Sequence, residues 1–435
     1  MRMTCLFVSL LAAGLMESAA AQSLSLSPEE ERIVSLVKAN SSNALALLEK
    51  TVNINSGTMN HKGVREVGKV FRVELGKLGF KTQWIDMPKE MQRAGHLVAT
   101  REGKQGKRVL LIGHLDTVFE ANAPMQKWER QGERASGQGV NDMKGGNVII
   151  IEALRALHGA GALDNTTVSV IFTGDEENAG DPKEISRGDM VNLAKRSDVA
   201  LAFEATVLDE NGKATGTIGR RSSTSWQLEV KGKQGHSSGI FNADAGYGAV
   251  YETARILDTF RQQLQEPNLT FNPGLVLGGT EVTYDGTAAK GTAFGKSNVI
   301  ANSATVKGDL RFLTPEQGES ARARMRSIVA QNLPGSSAQI RFHDGYPPMA
   351  PTEGNLKVLQ LYSKASADAG LGPIAALPPG QRGAGDVQFV APYVDSLDGL
   401  GATGKGAHAP GEDLEVRSIE QGAIRTAVLL YRLTR

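Results

Sequence analysis

Acidic and histidine side chains lie in five short segments of the sequence, and their types are those that hold metal ions. The candidate ligands are, in chain order, His114 in GHLDT, Asp142 in GVNDMKGG, an acid of the run Asp175–Glu177 in TGDEEN, Glu204 in LAFEA and His408 in GKGAHAPGE. Imidazole and carboxylate groups both coordinate Zn²⁺. Three carboxylates and a bridging hydroxide would balance the charge of two Zn²⁺ ions, as a cleft of low dielectric requires. The set therefore indicates a site for two metal ions.

Most of these segments also have a simpler explanation when each is taken alone. His114 and Asp116 form an H-x-D pair after an apolar run. Such a pair places both side chains on one side and lets the carboxylate orient the imidazole, although Asp116 would also suit the cap of a turn. Asp142 opens a helix, where an Asp is most often an N-cap. The acidic run at residues 175–177 would be a solvated loop if no cation lies beside it, and Glu204 a solvated strand end.

Strands and helices alternate over most of the chain, and the candidate ligands follow the strands. The run Val109–Ile112 is continuously apolar, as a strand covered on both faces should be, and Val168–Phe172 and Val199–Phe203 are further strands. Helices are predicted at about Val64–Leu78 and Lys144–Leu157. This alternation predicts an α/β fold, with a mixed, mostly parallel sheet and helices on both faces. Ligands bind at the carboxyl ends of the strands in such a sheet.

The pattern changes at about residue 219. The segments Trp226–Val230 and Ala304–Phe312 alternate apolar and polar residues, as half-exposed antiparallel strands do. Helical stretches lie nearby, at about Ala245–Leu264 and Pro315–Ala330. We therefore expect a smaller α+β domain at residues 219–347, inserted into a catalytic domain formed by residues 22–218 and 348–435.

The N-terminus has the three parts of a secretory signal. Arg2 is the positive start, residues 5–16 form a short apolar core, and Ala19–Ala21 fits an A-x-A cleavage site. A buried N-terminal helix would leave these small residues unexplained. We predict a signal peptide at residues 1–21 and a periplasmic or secreted protein. The single cysteine, Cys5, would be removed with it, so histidines and carboxylates remain for a metal site.

The charge balance excludes several classes of partner. Lys and Arg number 48 and Asp and Glu number 47, whereas a nucleic-acid or membrane-surface partner would require a basic excess. No apolar run after the signal reaches the roughly 20 residues needed to span a bilayer. We therefore expect neither a nucleic-acid partner nor a membrane anchor.

Six segments, in the same order, resemble the co-catalytic zinc exopeptidases typified by glutamate carboxypeptidase, aminoacylase and succinyl-diaminopimelate desuccinylase. The segments are GHLDTV, GVNDMKGG, TGDEE, FEA, GHSS and GAHAPGE. The resemblance implies two Zn²⁺ per chain, the first held by His114 and Glu204 and the second by His408 and Glu177. Asp142 would bridge the two ions, and the peptide bond after it would be cis.

The resemblance also implies roles for residues that hold no metal. Glu176 would be the general base and Asp116 would orient His114. The inserted domain would be a lid that pairs with its copy in a homodimer. His236, in GHSS, would reach toward the reacting carbonyl oxygen of the neighbouring active site.

Substrate binding is implied for four further residues. Asn298 and Arg311 match positions that hold a substrate carboxylate, to which an Arg fork donates two parallel hydrogen bonds. For Arg311, an ordinary strand-surface arginine is the alternative. Gly383 and Gly385 lie in a segment that resembles the Gly-rich substrate loop.

The resemblance therefore implies a zinc-dependent carboxypeptidase, which hydrolyses an amide bond next to a free carboxylate and releases a C-terminal amino acid, and the predicted signal peptide implies that it is exported. Glu rather than Asp at position 204 is typical of carboxypeptidases and deacylases. The substrate would be a small peptide or an N-acyl amino acid, so an N-acyl-amino-acid deacylase is the alternative. A non-catalytic binding protein of the same fold would not need an intact Glu176. Three basic residues have no role in this scheme: Arg220, Arg221 and Arg382.

Overall fold

The computed structural model describes residues 25–286 and 288–435, so the predicted signal peptide at residues 1–21 lies outside the described residues. The helices are α1 (Pro28–Ala39), α2 (Ser41–Val52), α3 (His61–Lys77), α4 (Gly145–Gly159), α5 (Lys183–Ser186), α6 (Gly188–Ala194), α7 (Gly248–Gln263), α8 (Pro315–Val329), α9 (Glu353–Asp368), α10 (Val387–Val390) and α11 (Val416–Leu433). In the described part of the chain, none of these helices is long and apolar enough to cross a membrane.

The strands, also in chain order, are β1 (Lys81–Ile85), β2 (His96–Arg101), β3 (Gln105–His114), β4 (Glu129–Gln131), β5 (Arg134–Ser136), β6 (Thr166–Thr173), β7 (Val199–Ala202), β8 (Thr215–Gly216), β9 (Ser223–Gly232), β10 (Thr270–Gly279), β11 (Glu281–Asp285), β12 (Lys290–Phe294), β13 (Ser303–Arg311), β14 (Ser336–Tyr346), β15 (Ala375–Ala376), β16 (Asp395–Leu397), β17 (Gly404–Lys405) and β18 (Asp413–Glu415).

The main sheet has the spatial order β1-β2-β6-β3-β7-β16. Four neighbouring strands, β6, β3, β7 and β16, pair in parallel. The pairs β1–β2 and β2–β6 are antiparallel. Side chains of β3 alternate between the two faces. Val109 and Leu111 pack with α4 and α11, and Leu110 and Ile112 pack with α6 and α10. The predicted mixed, mostly parallel sheet with helices on both faces is therefore confirmed.

The parallel strands bring three of the ligand segments to one edge of this sheet. His114, the last residue of β3, pairs with Thr173, the last residue of β6. Ile112 pairs with Ala202 at the end of β7, and Glu204 follows two residues later. Because parallel strands end at a common edge, segments far apart in sequence meet there.

A second sheet, with the order β10-β13-β9-β14, is antiparallel throughout. Trp226, Leu228 and Val230 of β9 pack with α7 and α8 in a separate apolar core. The smaller α+β part of the predicted fold class is thereby confirmed, while the boundaries 219 and 347 stay a prediction. The helix predicted at about Ala245–Leu264 is α7, which begins at Gly248 because the preceding backbone includes Gly246 in the left-handed region with φ 67°.

Candidate metal centre

All five candidate ligands converge at the edge of the main sheet. The Nε2 atom of His114 lies 3.1 Å from Asp142 Oδ1 and 3.6 Å from Glu204 Oε1. The Nε2 atom of His408 lies 3.1 Å from Asp142 Oδ2 and 3.0 Å from Glu177 Oε2. The five side chains thus form two groups of three that share Asp142. Each oxygen of Asp142 faces one histidine, as a bridging carboxylate between two cations would.

The chemistry of this cluster fits metal ions. The Oε1 atom of Glu177 is buried and makes no hydrogen bond with the described residues. A buried, unsatisfied carboxylate oxygen is costly, and a cation beside it would remove that cost. Nitrogen and oxygen donors of these types suit Zn²⁺.

The crowded charges shift the pKa values of the ligands. Hydrogen bonds to Asp142 and Glu177 raise the pKa of His408 to about 11. Burial by itself lowers the pKa of His114, but hydrogen bonds to Asp116 and Asp142 outweigh burial and raise it well above its usual value. Protons on the two histidines thus supply the positive charge that metal ions would replace on binding.

Glu176 and Glu177 are adjacent but differ in their contacts. Glu177 joins the ligand cluster, whereas the carboxylate of Glu176 makes no hydrogen bond or ion pair within the described residues. Burial, reinforced by the charge of Glu204, raises the pKa of Glu176 well above its usual value despite the opposing effect of His114. A partially desolvated carboxylate without a partner is suited to accept a proton.

Asp116 positions the backbone of these two glutamates. Its carboxylate accepts the backbone N–H of Glu176 at 3.0 Å and that of Glu177 at 3.1 Å, together with the hydroxyl of Thr58 at 2.6 Å. The Nδ1 atom of His114 lies 3.0 Å from the backbone oxygen of Asp116 and 3.4 Å from the carboxylate. Asp116 therefore contacts both the histidine and the Glu176–Glu177 turn.

The third member of the acidic run, Asp175, has a structural partner. The buried guanidinium of Arg187 lies 2.6 Å from Asp175 Oδ1 and 2.7 Å from Asp386 Oδ1. This arginine supplies the compensating charge that the acidic run requires. Tyr346, the last residue of β14, donates its hydroxyl to the backbone oxygen of Glu176 at 2.7 Å. The inserted sheet is thus joined directly to the turn that carries Glu176.

The turn that carries Asp142 is fixed by Glu412, to which sequence reasoning gave no role. Its carboxylate accepts the backbone N–H groups of Gly139, Asn141 and Asp142 at 2.7–2.9 Å. Burial raises the pKa of Glu412 to about 7. The Asp142–Met143 peptide bond is cis, as the resemblance implied. The available sequence signal was the position of Glu412 in the same motif as His408.

Two of the unassigned basic residues line the candidate substrate loop. Arg220 is buried, forms an ion pair with Asp398, and donates to the backbone oxygens of Gly383 and Ala384 at 2.7 Å. A Cβ at Gly385 would lie 2.9 Å from Cζ of Arg220, so this position has no room for a side chain. The Nη2 atom of Arg382 lies 3.9 Å from Oε2 of the candidate ligand Glu204.

The three candidate residues of the inserted domain lie apart from the ligands. His236 and Asn298 are exposed. The backbone N–H of Ser237 donates to the backbone oxygen of Asn298 at 3.0 Å. Arg311 forms an ion pair with Asp309 at 2.8 Å. In residues 25–286 and 288–435, no hydrogen bond or ion pair joins these three residues to the five ligands.

Comparison of the sequence with known proteins identifies a family and relatives of this chain. The model of peptidase family M20/M25/M40 matches residues 110–432. Carboxypeptidase G2 of Pseudomonas sp. strain RS-16 is 29% identical over 318 residues, which cover 72% of this chain and 70% of that protein. Succinyl-diaminopimelate desuccinylase of Delftia acidovorans is 24% identical over 396 residues, covering 87% of this chain and 95% of that protein.

Solved structures share the fold. Aminopeptidase PepT of Bacillus cereus has a TM-score of 0.71 at 16% identity, with 91% of this chain and 99% of that chain covered. The YXEP protein of Bacillus subtilis, described as a dinuclear metal binding peptidase from the M20 family, has a TM-score of 0.62 at 17% identity, with 91% and 99% covered.

Proposed function

The chain belongs to peptidase family M20/M25/M40 and is a hydrolase of amide bonds, and we propose that it is an exported zinc-dependent carboxypeptidase. The observation that carries the proposal is the pair of ligand groups that share Asp142, with the unpaired carboxylate of Glu176 beside them. Similarity to carboxypeptidase G2 supports the reaction type. The proposal of export to the periplasm or medium rests on the signal peptide predicted at residues 1–21.

The chain offers two adjoining sites for Zn²⁺. His114, Asp142 and Glu204 would hold one ion, and Asp142, Glu177 and His408 the other. Bound Zn²⁺ ions supply Lewis acidity, which lowers the pKa of a water molecule and polarises a carbonyl group.

Glu176 would move the proton in this reaction. Its free carboxylate accepts a proton from the attacking water and delivers it to the leaving nitrogen. Asp116 accepts the backbone N–H of Glu176, and the hydroxyl of Tyr346 donates to its backbone oxygen. These two hydrogen bonds position the backbone from which the Glu176 carboxylate extends. Glu177 cannot share this task, because it lies among the ligands.

Arg311 and Asn298 would bind the free carboxylate of a small peptide or N-acyl amino acid. The hydrogen bond from Arg311 to Asp309 uses Nε, which leaves both Nη groups for a bidentate contact. We propose that the protein acts as a homodimer, in which the partner's inserted domain places His236 at the reacting carbonyl oxygen.

An N-acyl-amino-acid deacylase is the second candidate function. It would use the same residues, and similarity to succinyl-diaminopimelate desuccinylase over 87% of this chain favours it. The two candidates differ in the acyl group and in the amino acid released, so substrates rather than active-site variants separate them.

A substrate panel tests both candidates. Zn²⁺-loaded protein would be incubated with dipeptides, folate-like N-acyl glutamates and simple N-acyl amino acids, each as the free acid and as the amide. We expect chelator-sensitive hydrolysis of free acids, with peptidic acyl groups preferred by a carboxypeptidase. A preference for simple acyl groups would establish the deacylase, and hydrolysis of no member of the panel would contradict both.

A further inference from the structure

Arg425 of α11 is buried and has no carboxylate partner in the part of the chain that the structure describes. It is 8% exposed, and three other arginines are buried to a similar degree: Arg187 at 1%, Arg220 at 2% and Arg322 at 9%. Each of those three forms an ion pair with an aspartate. Among the described residues, Arg425 has no acidic group within ion-pair distance. An unpaired buried charge is costly unless a counter-ion lies beside it.

The hydrogen bonds of Arg425 leave most of its guanidinium free. Its Nε donates to Ser366 Oγ at 3.0 Å, and Ser366 Oγ donates to the backbone oxygen of Gly372 at 2.6 Å. A neutral hydroxyl does not balance the charge. Neither Nη group makes a hydrogen bond within residues 25–286 and 288–435, and neither is fully buried. The Nη groups are therefore accessible from the cavity that Arg425 lines.

This cavity, which we call the basic cavity, has a volume of about 400 Å³. One wall is the face of α11 that carries Arg417, Ser418, Gln421 and Arg425, at the spacing of successive helical turns. Lys213 and residues 370–374 also line the cavity.

The charges around the basic cavity are mostly positive. Its ionisable lining residues are Lys213, Arg417, Arg425 and Glu415. Glu415 already pairs with Arg417 at 3.1 Å, so it does not neutralise Arg425. None of the five candidate metal ligands lines the cavity. It is therefore a separate feature of the catalytic domain.

We propose that the basic cavity binds a small oxyanion, either a carboxylate or an inorganic oxyanion, through Arg425. The planar guanidinium presents parallel N–H groups that match two oxygens of such an anion. Gln421 lines the same wall, and its side-chain amide can add neutral hydrogen bonds. The anion supplies the negative charge that the protein itself places beside the other buried arginines.

The test measures anion binding to the Zn²⁺-loaded full-length protein by titration calorimetry. Sulfate and acetate are titrated separately at constant ionic strength, and the two arms distinguish inorganic from carboxylate ligands. We expect saturable binding of at least one anion, weakened about 10- to 100-fold in Arg425→Gln, as for the loss of a charge-assisted hydrogen-bonding group. Arg432→Gln removes a paired arginine from the same helix and should leave anion affinity unchanged.

Two results would overturn the proposal: no saturable binding of either anion, or equal affinity in the wild type and Arg425→Gln. Because a substitution at a buried position can impair folding, a second measurement uses the unaltered protein. Crystals are grown with selenate and, separately, with acetate, and density for either anion within hydrogen-bonding distance of Arg425 supports the site. Density for neither anion at Arg425 contradicts it.

Discussion

The candidate metal centre and the candidate substrate-binding residues of the inserted domain are held in different ways. The ligands are fixed by the core, with His114 buried at the end of β3 and the Asp142 turn held by Glu412. His236 and Asn298 are exposed, and the side chain of Arg311 forms an ion pair with Asp309 of its own strand. The difference teaches that one domain assembles the metal centre by itself, whereas the proposed contribution of the inserted domain would need a movement of that domain or a second chain.

The largest expected effect comes from the metal centre. Glu176→Gln removes a proton acceptor and no ligand, so kcat should fall by about 10²–10⁴-fold. Metal analysis should still give about two ions per chain, the number that a co-catalytic site holds. Glu184→Gln, a substitution at an exposed acid nearby, is the control and should retain both properties. Near-normal turnover of Glu176→Gln would assign the proton transfer to another residue.

The next effect tests whether a second chain completes the site. His236→Ala should lower kcat by about 10²–10³-fold, as for the loss of one donor to a developing oxyanion. Mixing it with Glu176→Gln and allowing subunits to exchange creates one doubly altered and one intact site if His236 acts across the dimer, so activity should return. If exchange is demonstrated and the mixture stays inactive, His236 does not act in trans.

Arg311 should have a smaller effect, confined to substrates with a free carboxylate. Arg311→Gln removes one charge-assisted contact, so kcat/KM for acid substrates should fall about 10- to 100-fold. Amidated substrates should be turned over equally by the variant and the wild type. Arg341→Gln, a substitution at an exposed arginine of β14, is the matched control. An equal loss for acids and amides would indicate that Arg311 has only a structural role.

Tyr346 connects the two regions, and its removal should have a modest effect. Tyr346→Phe deletes the hydrogen bond to the Glu176 oxygen, which contributes about 0.5–1.5 kcal/mol. We expect kcat to fall by no more than about tenfold, with KM and metal content unchanged. Tyr251→Phe, at an exposed position, is the control. A loss as large as that in Glu176→Gln would show that the hydroxyl contacts the reacting groups.

The sequence could predict that the ligands at strand ends meet, because parallel strands end at a common edge, whereas the places of Asp142 and His408 were implied only by the resemblance. His114 and Glu204 follow apolar strands whose carboxyl ends share one sheet edge. The strand β9 was likewise visible from its alternation. Strand β10 was not identified, because Pro273 and a bulge between Pro273 and Leu275 interrupt its pattern.

The supporting contacts could not be predicted, because they depend on how distant segments pack. Glu412 lies more than 270 residues from Gly139, whose N–H it accepts. Arg187 looks like a surface residue in the sequence, yet it is buried between Asp175 and Asp386. Neither pairing follows from spacing along the sequence, since each requires the relative placement of two loops.

The smallest expected effect is on stability alone. It concerns an ion-pair cluster that lies outside both the metal centre and the candidate residues of the inserted domain. Arg432 of α11 forms ion pairs with Glu30 of α1 and Asp368 of α9. Burial tends to raise the pKa values of both acids, but their hydrogen bonds to basic residues, Arg432 included, lower them below the usual range.

Acids with lowered pKa values stabilise the fold above their unfolded values, and this stability is lost as pH falls through the folded values. Arg432→Gln should therefore lower the free energy of unfolding by about 1 kcal/mol near pH 7, as is typical of partly exposed pairs. The difference from the wild type should persist down to about pH 5 and shrink below it. Urea unfolding at several pH values measures this difference, and activity at pH 7 should be unchanged. The control is Arg261→Gln, which removes an exposed ion pair within a helix. A difference that is independent of pH would mean that Arg432 acts through packing rather than through its charge.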